Sequence, residues 1–172
     1  MPKLLEYELG NEVHAFSTMR AAGQSQDAYA HFNINPYCGD NPEHVAQNVN
    51  ALCHMLDIAP NNLVLPHQTH ETTVRLVASE LLSMPQMVRQ MVLEGVDALI
   101  TNVPGVCIGV STADCIPIIL YDAEHRATAA IHAGWRGTVK RIAQNTIAQM
   151  RTAFGTNPQS LRAIIGPGIS LH

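Results

Sequence analysis

Helical spacing of apolar residues marks three segments of the chain. The first predicted helix has Asn41 as its N-cap, Pro42 at its first position, and extends to about Asp57. The second covers residues 85–94, and its methionines are predicted to fill the core rather than bind a metal. The third ends at Gly155. Its predicted buried stripe comprises Val139, Ile142, Ala143, Thr146, Ile147 and Met150.

Short apolar runs bounded by turn residues predict strands in the rest of the chain. They cover residues 13–17, 63–65, 72–77, 106–111, 116–121, 128–131 and 161–165. Strands outnumber helices and do not alternate strictly with them, which favours an α+β fold. We expect a layered α/β/β/α-type sandwich built on a mixed, largely antiparallel sheet. The length of 172 residues fits a single domain over 1–172.

Composition and charge argue against nucleic acid and membrane as partners. The chain is 47% hydrophobic and only 14% charged, with a formal net charge of −4. No basic stripe favours a nucleic-acid partner, and no apolar stretch favours a membrane span. The four cysteines form no CxxC pair and no signal peptide is apparent, so we expect reduced thiols and a cytoplasmic protein. The low charge also fits a surface partly covered by another subunit, and the oligomeric state stays open.

Three chemically capable side chains fall at predicted strand ends, namely His70, Cys115 and His132. The ends of neighbouring strands can converge on one rim of a sheet, where sites are common. Two imidazoles and one thiolate suit zinc, and three protein ligands leave a fourth position open. By pattern alone a structural role is favoured for each residue, because a lone buried cysteine usually acts as a small hydrophobe and a lone histidine at a strand end is usually a hydrogen-bonded structural residue. Long stretches of chain separate the three, so only tertiary structure could assemble the site.

The turn after the strand at 128–131 is rich in glycine. Gly134 and Gly137 allow a tight turn, and Arg136 falls near the start of a helix, where an anion is favoured. A phosphate contact and a pairing with an acidic neighbour are both open for Arg136. Residues 166–168 form a Gly-Pro-Gly turn that would lead into another element, so we expect the sequence to represent part of a longer polypeptide.

Six motifs occur in order along the chain, namely His14-Ala15-Phe16-Ser17-Thr18, Gln68-Thr69-His70, Asp97-Ala98-Leu99-Ile100-Thr101, Thr112-Ala113-Asp114-Cys115-Ile116-Pro117, His132-Ala133-Gly134-Trp135-Arg136-Gly137 and Ile165-Gly166-Pro167. Together they resemble the laccase-domain family, also called YfiH-like or "polyphenol oxidase" proteins. The resemblance implies phosphorolysis of adenosine, inosine and methylthioadenosine to the base and ribose 1-phosphate, with adenosine deaminase activity. It also implies a catalytic domain that lacks the family's C-terminal part.

Carried over position by position, the resemblance assigns roles to individual residues. The zinc ligands fall on His70, Cys115 and His132, of which Cys115 and His132 also rank with Asp114 as catalytic candidates. The candidate contacts for purine nucleosides and phosphate are Arg136, Arg20 and Asn33. Asp114 and Asp97 are candidates for orienting ligands or moving protons.

Some alternatives stay open at this level. His67 precedes the ligand-bearing motif and is either a competing ligand or a residue behind the ligands. Copper is a possible ion, but none of the nine histidines forms the His-x-His pair expected of a multicopper oxidase. A metal-free hydrolase with Cys115 as nucleophile and His132 as base is a further alternative. So is a binding domain without catalysis.

Overall fold

The structure, a computed structural model, describes residues 1–169. Its strands are β1 (Leu4–Tyr7), β2 (Ala15–Thr18), β3 (Leu63–Val64), β4 (Val74–Leu76), β5 (Ala98–Thr101), β6 (Cys107–Ile108), β7 (Ile116–Asp122), β8 (Ala127–Ala133) and β9 (Arg162–Ile165). Its helices are α1 (Pro42–Leu56), α2 (Ser79–Ser83), α3 (Gln86–Val92), α4 (Trp135–Val139) and α5 (Ile142–Phe154).

A five-stranded sheet with the order β4-β5-β8-β7-β9 forms the centre of the fold. Only its β4–β5 pair is parallel, and the other pairs are antiparallel. Two small sheets accompany it, an antiparallel β1–β2 hairpin and a parallel β3–β6 pair. The expected α+β class with a mixed, largely antiparallel sheet is confirmed.

Successive side chains of a strand point to opposite faces of the sheet, so the side chains of β8 divide into two sets. Ala129 and Ile131 belong to the core cluster that also contains Ile142 and Met150 of α5. His132 has the opposite parity on the strand and therefore belongs to the other face. One face of the sheet thus carries the main core, and His132 lies on the opposite face, together with Leu99 and Tyr121 of two further buried clusters.

The third predicted helix is interrupted. It consists of α4 and α5, separated at Arg141, whose φ of 63° lies in the left-handed region. Ile142, Thr146 and Met150 are buried as predicted, but Val139 is 75% exposed. The placement of Val139 in the buried stripe is therefore wrong, because the break rotates the helix start away from the core.

The methionines of α3 are also placed differently from the prediction. Met87 is 75% exposed and Met91 is 73% exposed, so neither fills the core. This short helix meets a core cluster only at its C-terminal end, through Val92 and Leu93. The predicted strand at 106–111 is limited to β6, and β1 and α2 were not predicted. No helix within residues 1–169 has the length and apolar character needed to cross a membrane.

Candidate metal centre

The sheet brings two of the predicted ligands together directly. Cys115 immediately precedes β7, and His132 lies on β8 opposite Pro117 in the antiparallel register. His70 comes from the loop between β3 and β4, where its φ of 64° is in the left-handed region. Two ligands therefore belong to one hairpin, and the third is delivered by a loop.

The three side chains lie close together. The candidate ligand atoms of His70, Cys115 and His132 all lie within 4.8 Å of one another. The rings of the two histidines meet edge to face, with centroids 4.7 Å apart and an interplanar angle of 81°. His132 is buried, Cys115 is half-buried and His70 is exposed, so the site opens toward solvent on the His70 side.

Asp97 supports two of the ligands from behind. Its buried carboxylate accepts a hydrogen bond from Nδ1 of His132 at 2.8 Å. It also accepts backbone N–H bonds from Thr69, His70 and Glu71 at 2.9 to 3.2 Å. Since a carboxylate only accepts, Nδ1 of His132 carries the proton and Nε2 is left to bind a metal. The role of Asp97 as an orienting residue has direct geometric support.

The charge state of Asp97 follows from the same contacts. Burial opposes its ionisation, but the hydrogen bonds from His132 and from the three amides outweigh burial and lower the pKa of the carboxyl group. Asp97 is therefore an anion beside the site. Its negative charge strengthens His132 as a donor to a cation.

Gly134 leaves the space that the side chains of Cys115 and His70 need. A Cβ atom at this position would lie 3.2 Å from Sγ of Cys115 and 3.2 Å from Cδ2 of His70. It would also lie 3.7 Å from Cε1 of His132. A side chain here would crowd Cys115 and His70, whereas the distance to His132 is an ordinary van der Waals contact. The requirement for glycine in this turn therefore concerns the site rather than the backbone, whose φ of −70° suits any residue.

Gln68 joins the two loops that carry His70 and Cys115. Its side-chain amide donates to the carbonyl of Ser111 and accepts from the N–H of Ser111, both at 2.7 Å. This reciprocal pair imitates one rung of a β-ladder between loops that are distant in the sequence. Gln68 therefore fixes the loop of His70 against the segment that leads to Cys115.

Replacing Gln68 with alanine is expected to weaken zinc binding about tenfold, the lower end of the loss seen when groups behind a metal site are removed. The physical reason is a longer average separation between His70 and Cys115. Competition with a chromophoric zinc chelator would measure the dissociation constant. Gln90→Ala, at an exposed position of α3, is the matched control. Native affinity in the Gln68 variant would contradict this role.

The thiol of Cys115 is not activated by its protein surroundings. Burial raises its pKa, and the carboxylates of Asp114 and Asp97 raise it further. A free nucleophilic cysteine needs the opposite, a lowered pKa next to positive charge. A bound cation would reverse this effect, since metal ligation deprotonates a thiol. The electrostatics thus favour a metal ligand over a metal-free nucleophile.

A cavity of about 1450 Å³ opens in front of the three ligands. Arg20, Asn33 and Asp114 line it together with the ligands. Arg136 does not line it. That residue lies over the ring of Trp135, 5.3 Å from its centroid, and borders a separate shallow depression. Two of the three candidate substrate contacts, Arg20 and Asn33, therefore line the same cavity as the candidate ligands.

The side chains of Arg20 and Asn33 also make hydrogen bonds to neighbouring residues. Arg20 donates from Nε and Nη2 to the carbonyl of Ala30, at 3.0 and 2.7 Å. The amide of Asn33 donates to Asp40 at 2.9 Å and accepts from the N–H of Asn35 at 3.0 Å. These bonds hold the side chains in fixed positions on the cavity wall.

His67 lies outside the group of ligands. Its Nδ1 faces the carboxylate of Glu94, with distances of 2.7 and 2.9 Å to the two oxygens. Its ring stacks on Tyr37. Among residues 1–169, the cluster able to hold a metal ion comprises His70, Cys115 and His132 and does not include His67. Sequence reasoning gave no role to the stack or to Gln68, because both depend on contacts between distant segments.

Fold and site together define an α+β protein whose sheet rim carries a His–Cys–His group suited to a metal ion. A sequence model described as "Multi-copper polyphenol oxidoreductase laccase" matches residues 14–172. The chain belongs to this family, which is the laccase-domain or YfiH-like family that its motifs resemble.

Three similar proteins illustrate the relationship. A protein named purine nucleoside phosphorylase from Bacteroides thetaiotaomicron is 47% identical over 161 residues, covering 94% of this chain and 60% of that protein. Adenosine deaminase RL5, from an unknown prokaryotic organism, is 38% identical over 157 residues, covering 91% and 60%. The crystal structure of the hypothetical protein YfiH from Bacillus licheniformis superposes with a TM-score of 0.89 at 29% identity, covering 98% and 63%. The chain thus spans about 60% of the length of the curated relatives it matches.

Proposed function

We propose that this chain forms the metal-bearing catalytic domain of a zinc-dependent purine nucleoside phosphorylase. The substrates would be adenosine, inosine and methylthioadenosine, cleaved by phosphate to the free base and ribose 1-phosphate, with adenosine deaminase as a second activity. The observation that carries this proposal is the convergence of His70, Cys115 and His132 within 4.8 Å. The names of the relatives support the choice of substrate.

The donor set favours zinc. Two imidazoles and one thiolate from separate segments, with an open side, match a catalytic zinc site. Within residues 1–169 these are the side chains grouped for a metal, whereas a multicopper oxidase needs many more histidines. A thiolate ligand also requires a reduced Cys115, so we place the enzyme in the cytoplasm.

Zinc bound by these ligands would supply a Lewis acid and a water of lowered pKa, which suits attack on the purine C6 carbon. Asp97 holds His132 in the tautomer that presents Nε2. Asp114 lines the cavity beside Cys115 and is the candidate to accept a proton from the attacking water and to pass it to N6, so that the C6–N6 bond breaks and ammonia leaves.

Phosphorolysis requires the anionic nucleophile to be held near the ribose. In this step a phosphate oxygen bonds to C1′, the C1′–N9 bond breaks, and the base leaves with a proton taken from solvent. Arg20 is the preferred phosphate contact, because it lines the cavity and Arg136 does not. Asn33 lines the same wall and would contact the sugar.

The activity is tested by supplying inosine with and without phosphate to protein of known metal content. We expect about one zinc per chain, hypoxanthine and ribose 1-phosphate only when phosphate is present, and inosine from adenosine without phosphate. Chromatography of the products measures the two activities, and elemental analysis measures the zinc content. Zinc-loaded protein that leaves both nucleosides intact would contradict the proposal. Stoichiometric copper with oxidation of a phenol would replace it with the oxidase alternative.

A further inference from the structure

Two aromatic side chains from separate segments stack on each other at the edge of the large cavity. Tyr37 belongs to the loop before α1, and His67 belongs to the segment that leads to His70. Their ring centroids are 4.6 Å apart and the rings are within 18° of parallel. This is the offset-stacked arrangement that aromatic rings favour. The site described above uses neither side chain.

Hydrogen bonds anchor the ring of His67 and the backbones of both residues of the stacked pair. Glu94 accepts from Nδ1 of His67 through both carboxylate oxygens, at 2.7 and 2.9 Å. The backbone of His67 bonds to Leu93 and Val96, at 3.0 and 3.2 Å. The N–H of Tyr37 donates to the side chain of Asn35 at 2.9 Å. Neither ring needs to be ordered when a ligand arrives, which lowers the entropic cost of binding.

The pair lies within reach of the metal ligands. Tyr37 and His67 line the same cavity as His70, Cys115 and His132. Three residues of chain span at most about 11 Å between Cα atoms, so His67 lies no farther than that from His70. A nucleoside can bridge such a distance. Its base could contact the pair while its reacting atoms stay near the metal centre.

A flat base is the chemistry that this surface recognises. Aromatic rings that face a cavity present a π-surface on which any heteroaromatic base can stack. The side chain of His67 is still 38% exposed although its ring stacks on Tyr37 and pairs with Glu94. A pair that served only to join two loops would need no surface open to the cavity.

We propose that Tyr37 and His67 form the subsite that stacks the purine base. This inference rests on the proposed function for its choice of ligand. The subsite would determine affinity for the base and would contribute equally to ground state and transition state. It would therefore act on KM rather than on kcat.

The test is the binding of hypoxanthine to the zinc-loaded full chain by titration calorimetry. Tyr37→Leu keeps apolar bulk but removes the π-surface, and it is expected to raise the dissociation constant about tenfold, within the range measured for base–aromatic stacking. His67→Ala removes the other ring of the pair and is expected to raise the dissociation constant by a similar factor. Tyr37→Phe should stay within about twofold of native, and the KM for inosine should follow the same order at unchanged kcat.

His14→Ala is the matched control. His14 also lines the cavity, packs its ring against an aromatic side chain, Phe16, and pairs with a glutamate, Glu6. It belongs to the β1–β2 region, so its loss should leave hypoxanthine binding and zinc content unchanged. A structural disturbance of the cavity would affect zinc content, whereas loss of stacking would not.

The outcomes separate this inference from the proposed function. Native protein that binds hypoxanthine through Tyr37 but cleaves no inosine would refute the phosphorylase and keep the subsite. Native protein that cleaves inosine, with both the Tyr37→Leu and His67→Ala variants binding base normally, would overturn the subsite and keep the phosphorylase. Absence of any base binding by the native protein would also overturn the subsite.

Discussion

Replacing Cys115 with alanine is expected to lower zinc affinity by more than about 100-fold, beyond what loss of a group behind the ligands costs. The variant loses the single thiolate among three donors, and the two imidazoles that remain hold zinc far less tightly. Inosine phosphorolysis and adenosine deamination should disappear with the metal. Elemental analysis after dialysis and product chromatography measure the two losses together.

Cys38→Ser is the matched control for this experiment. Cys38 is an exposed cysteine that lines the same cavity without belonging to the ligand group. Its replacement should leave zinc content and turnover close to native. Since Cys115 is only half-buried, the alanine variant should unfold within about 1 kcal/mol of native when both are compared free of metal. Full activity in the Cys115 variant would remove the basis of the proposed chemistry.

Replacing Asp97 with alanine is expected to lower the free energy of unfolding by about 3 to 5 kcal/mol, because the buried carboxylate is the acceptor of four hydrogen bonds and each stranded donor costs about 1 to 3 kcal/mol. The change leaves His132 and three backbone N–H groups without their acceptor. Zinc affinity should fall as well, because two of the three ligands lose the group that orients them. Urea unfolding of metal-free protein and chelator competition provide the two measurements.

Two further variants separate these effects. Asp97→Asn keeps the volume and one acceptor oxygen, and should cost about 1 to 3 kcal/mol. Asp57→Asn, an exposed aspartate at the end of α1, should change stability by no more than about 0.5 kcal/mol. If Asp97→Ala unfolded and bound zinc like the native protein, the hydrogen bonds at this carboxylate would have no energetic role.

The three candidate ligands could be predicted from sequence because they fall at predicted strand ends and the family motifs single out all three. Cys115 and His132 fall where apolar strands start or end, and the family motifs identify which polar residues matter. The antiparallel register places the start of β7 beside the end of β8, so the two strand ends lie at the same rim of the sheet. The same local logic predicted α1 with its cap, where Asn41 accepts from the N–H of Glu43.

The residues behind the ligands could not be predicted in the same way. The contact between Gln68 and Ser111, and the stack of Tyr37 on His67, depend on how distant loops meet in three dimensions. The predicted burial of Val139 is wrong for a related reason. Helical periodicity continues through residues 139–150 in the sequence, but a left-handed residue at Arg141 breaks the helix.

The hairpin of β7 and β8 has a consequence for how an ion would enter and leave. Pro117 pairs with His132 and Ile116 with Ala133, so the ladder keeps the sulfur and the buried imidazole at a set spacing even in apoprotein. The exposed His70 lies in a loop outside this ladder, where its own N–H donates to the carboxylate of Asp97 and the neighbouring Gln68 bonds to Ser111. Metal exchange should therefore proceed through excursions of one loop, and amide hydrogen exchange on chelation should quicken around His70 while the hairpin stays protected.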